Sequence, residues 1–234
     1  MTDATPTDFR RTTALAGALY LVIIVAGVWS EAFVRAPLLL PDDPVGTAER
    51  LRASLDGVRA SIAADTLMLI ADVGLAVLLF RLLRPVGPGW ALTAMAFRLM
   101  QAAVLGANLL NLQAAVLLVD GAGWVSGAGE TMNVLATQRL MAHAHGYDLG
   151  LVFFGINAVL TGALLVRLPA APRWLGPLVV VAGAVYLVGS GVRLLAPQLS
   201  DAVAPAYVVP LLTESLFCLW LLWAGLGRRV TGDR

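Results

Sequence analysis

Lysine is absent from this 234-residue chain; all 16 basic residues are arginine, spread along the sequence against 15 acids. A formal net charge of +1 leaves no basic surface for a nucleic acid, and none is expected as a partner. Cysteine occurs once, at Cys218 within an apolar run, which excludes an intrachain disulfide and a thiolate metal motif. Charge of either sign is scarce: 13% of residues are charged and 59% hydrophobic, with a mean hydropathy of +0.82. A soluble domain of this size cannot cover so much apolar surface, so the partner is a lipid bilayer.

A membrane-crossing helix needs about 20 mostly apolar residues. Six segments meet that length: Thr12 to Phe33, Ser61 to Leu83, Gly89 to Val119, His143 to Leu168, Trp174 to Leu195 and Pro205 to Gly227. The expectation is an all-α polytopic fold, a single domain over residues 1–234 with six transmembrane helices in one bundle. Proline and glycine mark the breaks at Arg84 to Gly89, Pro169 to Pro172 and Ala196 to Gln198, two of them short enough to force antiparallel neighbours. Arg10 and Arg11 ahead of the first run resemble a signal peptide. The apolar run is too long for one, and Val34-Arg35-Ala36 is a poor cleavage pattern, so a retained first helix is expected. Between the first two spans, Ala48, Leu51, Leu55 and Val58 alternate with charges at helical spacing. They predict a short amphipathic helix over 44–59, on the membrane surface or capping the bundle. The segment from Asp120 to Met141 opens with Gly121, Gly123, Gly127 and Gly129 and turns helical from about Glu130.

Arginine placement orients the bundle. With the N-terminus inside, cytoplasmic segments hold Arg10, Arg11, Arg81, Arg84, Arg167, Arg173, Arg228, Arg229 and Arg234, against three acids, Asp3, Asp8 and Asp233. The outer segments, which hold Arg35 and Arg193 among six arginines, carry more acids. The expected location is therefore the cytoplasmic membrane, with both termini cytoplasmic.

Charged groups at a helix centre cost about 2.5–3.5 kcal/mol each on insertion scales, so each calls for a partner or a wet cavity. Here Glu31 ends the first span, Asp65 and Asp72 lie on the second, and Arg98, Gln101, Asn108 and Asn111 on the third. His145 and Asp148 open the fourth, and Glu214 lies in the sixth. Asp65 and Asp72 share a helix face, and Arg98, Gln101 and Asn108 fall within about 80° of one another. The tight turn between these spans makes an Asp72 to Arg98 ion pair natural, as structural glue between helices. Glu31, Asp65, Asn108, Asn111, His145 and Asp148 map to the outer half and predict an outward-facing polar pocket, with Asp72, Arg98 and Gln101 completing nine candidate residues and Gly146 and Gly150 letting a neighbouring backbone approach. Arg193 either joins that pocket or reaches for the surface. His143 is expected to be an exposed helix-start residue, Asn157 a packing or kink residue, and Glu214 a neutral acid held by a neighbour. Trp29, Trp90, Trp124 and Trp174 are expected as interfacial anchors.

Several stretches resemble a prokaryotic membrane family known as domain of unknown function 4386. They are Arg10-Arg11-Thr12, Gly17 to Leu21, Gly27 to Arg35, Ala71-Asp72-Val73, Phe97 to Ala102, Asn108 to Leu112 and Ala144 to Gly155. The resemblance implies a six-helix membrane fold and brings no activity, substrate or cofactor with it.

Three functions remain open. A binding or transport protein would take a small polar or cationic solute, or a lipid, in the outer pocket, with Glu31, Asp65 and Asp148 supplying negative charge. Six spans would then call for a homodimer, and no repeat pair or broken helix of the transporter kind is visible. An intramembrane, metal-assisted hydrolase acting on a lipid would use His145, Asp148 and Asp65 as metal ligands or as acid and base. In a non-catalytic membrane partner, the polar network would only fix helix register.

Overall fold

The computed structural model describes residues 6–40, 42–120 and 129–227. Asp3, Gly121, Gly123, Trp124, Gly127, Arg228, Arg229, Asp233 and Arg234 lie outside the described residues. Six helices are long and apolar enough to cross a membrane, and no strand occurs among the described residues. The long helices are α1 (Pro6–Val28), α3 (Leu55–Leu83), α4 (Pro88–Val119), α5 (Gly129–Leu165), α6 (Leu175–Leu195) and α8 (Val208–Leu226). Two short ones, α2 (Pro44–Ala53) and α7 (Ser200–Val203), lie in connections.

Each long helix packs chiefly on its neighbours in sequence, and α8 closes on α1, so the spans form a ring in chain order. Short connections dictate the antiparallel arrangement: Gly87 and Pro88 start α4 directly after the turn Arg84–Val86. The ring has an apolar cluster at either end. One gathers Leu75, Leu79, Leu83, Leu164, Leu175, Phe217 and Leu221 near the start of α1 and the end of α8. The other, at the distal end, gathers Leu38, Leu51, Val58, Leu112, Val116 and Leu140. Buried polar side chains lie between them. The outer surface is apolar, with Ile70 66%, Leu110 70% and Trp223 73% exposed, which only a lipid surround makes tolerable. Trp29, Trp90 and Trp174 are exposed near span ends.

Three features depart from the sequence reading. First, α1 continues into a π-helix over Trp29–Arg35, closed by the Ala36 N–H donating to the Glu31 carbonyl at 2.8 Å. Second, the amphipathic segment is split: α2 stops at Ser54, and Leu55 begins the long α3. α2 buries Thr47, Ala48 and Leu51 and packs mainly on α5, so it caps the bundle. Third, the helix expected from about Glu130 does not stop before the fourth span: it runs on unbroken as α5, from Gly129 to Leu165. No proline interrupts it, and Ala136, Thr137 and Leu140 are buried at its start. Its 37 residues span about 55 Å at about 1.5 Å per residue, beyond a hydrocarbon core of about 30 Å.

The cap of α2 is testable. Asp43 Oδ1 accepts from the Gly46 N–H at 2.8 Å ahead of Pro44. Asp43→Ala is expected to cost about 1 kcal/mol, read as faster hydrogen exchange of the α2 amides with the α3 to α6 amides unchanged.

Candidate functional site

The π-helix brings Glu31 and Arg35 to one side, four residues apart. Arg35 Nε donates to Glu31 Oε2 at 2.9 Å, and Arg35 Nη1 donates to Asp65 Oδ2 on α3. Arg35 is buried, with 5% of its side chain exposed, and its Nη2 has no hydrogen-bond partner. Counting Arg35 as an outer-loop charge therefore misplaced it. The i, i+4 spacing from Glu31 was the available signal, but the π turn that carries it inward leaves no mark in the sequence.

Facing this group, α5 presents Leu140, Ala144, Tyr147 and Leu151, which fall within about 60° of one another around the helix. His143 and Asp148 flank that stripe. These residues, with Glu31, Arg35 and Leu39, enclose a cavity of about 190 Å³ at the distal end, completed by Arg193 and Tyr207. Arg193 Nε lies 3.1 Å from Asp148 Oδ2, so Arg193 joins the site. Asp148 Oδ1 and His143 Nε2 are buried without a partner.

Histidine placement reverses the expectation. His143 is buried, with Nδ1 3.2 Å from the Asn108 carbonyl while Asn108 Nδ2 donates to the His143 carbonyl at 2.8 Å. His145 is exposed, about 130° around α5 from the centre of the stripe. The proposed set of His145, Asp148 and Asp65 is not assembled: Asp65 is held by Arg35, Asp148 by Arg193, and His145 faces away. Among the described residues, no three His, Cys, Asp or Glu side chains come together to hold a metal.

The nine pocket candidates separate into layers. Glu31 and Asp148 line the cavity. Asp65 lies behind Arg35, and Asn108 behind His143. Asn111 Nδ2 donates to Asn108 Oδ1 at 3.1 Å, and Asn111 Oδ1 accepts from Arg139 at 3.4 Å. Gln101 is buried and lines no described cavity; its Oε1 has no partner. Sequence reasoning missed Arg35, His143, Tyr147 and Tyr207.

Asp72 and Arg98 belong to a second, central layer. Arg98 Nε donates to Asp72 Oδ1 at 2.8 Å, with Arg98 Nη2 2.5 Å from the same oxygen. The guanidinium carbon lies 5.5 Å from the Tyr20 ring centre and 5.1 Å from that of Phe154. Arg98 thus ties α4 to α1, α3 and α5 at once. Two cavities of about 10 Å³ touch Arg98, each with room for about one water. Asn157 lines both, and its Nδ2 donates to the Ala94 carbonyl at 2.8 Å, joining α5 to α4.

Gly146 and Gly150 meet the side chains of Asn108 and Leu105, not a neighbouring backbone. Backbone contact is made by another set. A Cβ on Gly155 would lie 2.9 Å from the Gly183 carbonyl oxygen, and one on Gly162 would lie 2.6 Å from that of Gly176. The seven-residue spacing on both helices makes this an antiparallel α5–α6 seam.

Residues 15–225 match the family model described as Domain of unknown function (DUF4386). An uncharacterized protein of Archaeoglobus fulgidus is 28% identical over 165 residues, covering 70% of this chain and 83% of its own length. No solved structure matches the chain. With the family model covering nearly all of a six-span bundle, the chain belongs to the DUF4386 family.

Proposed function

We propose that the chain binds or carries a small amphipathic molecule, a polar solute or the head of a lipid, in the distal cavity. One observation carries this reading. Three residues lining the cavity, Arg35, His143 and Asp148, each hold a buried polar atom with no hydrogen-bond partner. Each such atom costs about 1–3 kcal/mol when unsatisfied, so a guest that both donates and accepts hydrogen bonds stabilises the site. The carboxylates of Glu31, Asp65 and Asp148 outnumber the guanidinium groups of Arg35 and Arg193, which favours a cationic or zwitterionic head. Leu39, Leu140 and Leu151 offer the apolar remainder a wall.

The arginines of Arg10, Arg11, Arg81, Arg84, Arg167 and Arg173 support a cytoplasmic-membrane location with both chain ends on the cytoplasmic side. The distal cavity then opens toward the outer face. Ala144 lines the cavity, so Ala144→Phe fills it without removing a charge. Native mass spectrometry from nanodiscs is expected to detect a small-molecule or lipid adduct on the wild type, with occupancy reduced about tenfold, or about 1.4 kcal/mol, in Ala144→Phe. Equal occupancy in both proteins, or no adduct on either across lipid compositions, would sink the reading.

A further inference from the structure

Glu214 differs from the other acids enclosed by the apolar stretches. Glu31, Asp65, Asp72 and Asp148 each form an ion pair with an arginine, whereas Glu214 forms none among the described residues. It lies on α8 about 9 Å from the start of that helix, at about 1.5 Å per residue. Its Oε1 accepts from the Tyr186 hydroxyl on α6. A carboxylate with no counter-ion among apolar helices is poorly solvated, whereas a carboxylic acid is tolerated there.

The surroundings connect this group to both polar layers. Glu214 and Arg98 line the same water-sized cavity, as does Phe154. Tyr207 lines the distal cavity. The Tyr186 ring packs against one lining residue of each cavity: its centre is 5.3 Å from that of Phe154 and 6.0 Å from that of Tyr207. The titratable or charged groups around Glu214 are Tyr20 on α1, Asp72 on α3, Arg98 on α4, Tyr147 on α5 and Tyr186 on α6. Cys218 lies one turn further along α8. Arg98 alone among them brings positive charge.

We propose that Glu214 is a proton-binding site, a carboxylic acid that exchanges its proton with the distal cavity through the Tyr186 hydroxyl. On uptake, a hydronium ion from the distal cavity gives a proton to the Tyr186 oxygen and is left as water, while the original Tyr186 O–H bond breaks and its proton passes to Glu214 Oε1. Release runs in reverse, and Tyr186 is neutral before and after. The carboxylate left behind shares its cavity with the Arg98 guanidinium, which Asp72 otherwise holds alone. The site stands whether or not the distal cavity takes an amphipathic guest.

Infrared spectroscopy in nanodiscs tests the proposal. The wild type should show a carboxylic-acid carbonyl band that disappears reversibly as pH is raised, and Glu214→Gln should abolish it. Tyr186→Phe should keep the band but slow its hydrogen–deuterium exchange about tenfold, the rate equivalent of one lost hydrogen bond. Absence of the band at every pH, a band that never titrates, or unchanged exchange in Tyr186→Phe would overturn the proposal. If Glu214→Gln does not fold, the wild type still decides: dicyclohexylcarbodiimide should label Glu214, less as pH rises, by peptide mass. An unlabelled Glu214, or labelling independent of pH, overturns it.

Discussion

Replacing Arg98 with Met is expected to cost about 3–5 kcal/mol of stability, the range for removing one partner of a buried ion pair. The physical reason is the charge left behind. Asp72 has 3% of its side chain exposed, and its Oδ2 already has no partner, so without the guanidinium its remaining oxygen is unsatisfied as well. The substitution also removes the cation held between the rings of Tyr20 and Phe154, on α1 and α5. Denaturant titration in micelles measures the loss. The double variant Arg98→Met with Asp72→Leu should recover most of it, because an apolar pair of similar volume carries no desolvation cost. Strictly additive losses in the double variant would show that the two residues are not coupled.

The second large effect is at the α5–α6 seam. Gly162→Ala is expected to cost about 3 kcal/mol, the upper end of the usual range for overpacking. The added Cβ would lie 2.6 Å from the Gly176 carbonyl oxygen and 2.7 Å from the Val180 nitrogen. Both are backbone atoms, so no side chain can swing aside and the helices must separate. Gly191 on α6 provides the control, because a Cβ there has nothing within 4 Å. Gly191→Ala should stabilise by about 0.5–1 kcal/mol through the lower backbone entropy of alanine in a helix. Thermal unfolding of the two variants beside wild type reads both signs in one experiment.

Legibility varied with how local the controlling interaction was. The Asp72 to Arg98 pair could be anticipated because a tight turn at Arg84–Val86 fixes α3 against α4, and helical rise then sets the two depths. The choice between His143 and His145 could not be settled that way. His145 lies closer to Asp148 around the helix, but α5 turns the Tyr147 and Leu151 stripe to the cavity and leaves His145 outside. Arg35 was obscured by an i→i−5 turn with no sequence signature. Tyr207 follows the short α7 and reaches the cavity only through the fold of that connection.

The amino-acid order is enough to establish a helical chain, six segments apolar enough to cross a bilayer, and charge within several of them. Those properties depend on composition and on periodicity along one helix, which lipid exposure enforces residue by residue. Apart from the Asp72 to Arg98 pair, which charges meet was set by tertiary packing. Closure of α8 on α1 brings five helices around Arg98 and Glu214, and the π turn delivers Arg35 to Asp65. Ion pairing acts over a few ångströms between helices whose rotation is set by packing, such as the glycine seam of α5 and α6. Rotation of one helix against another is a property of neither sequence segment taken alone.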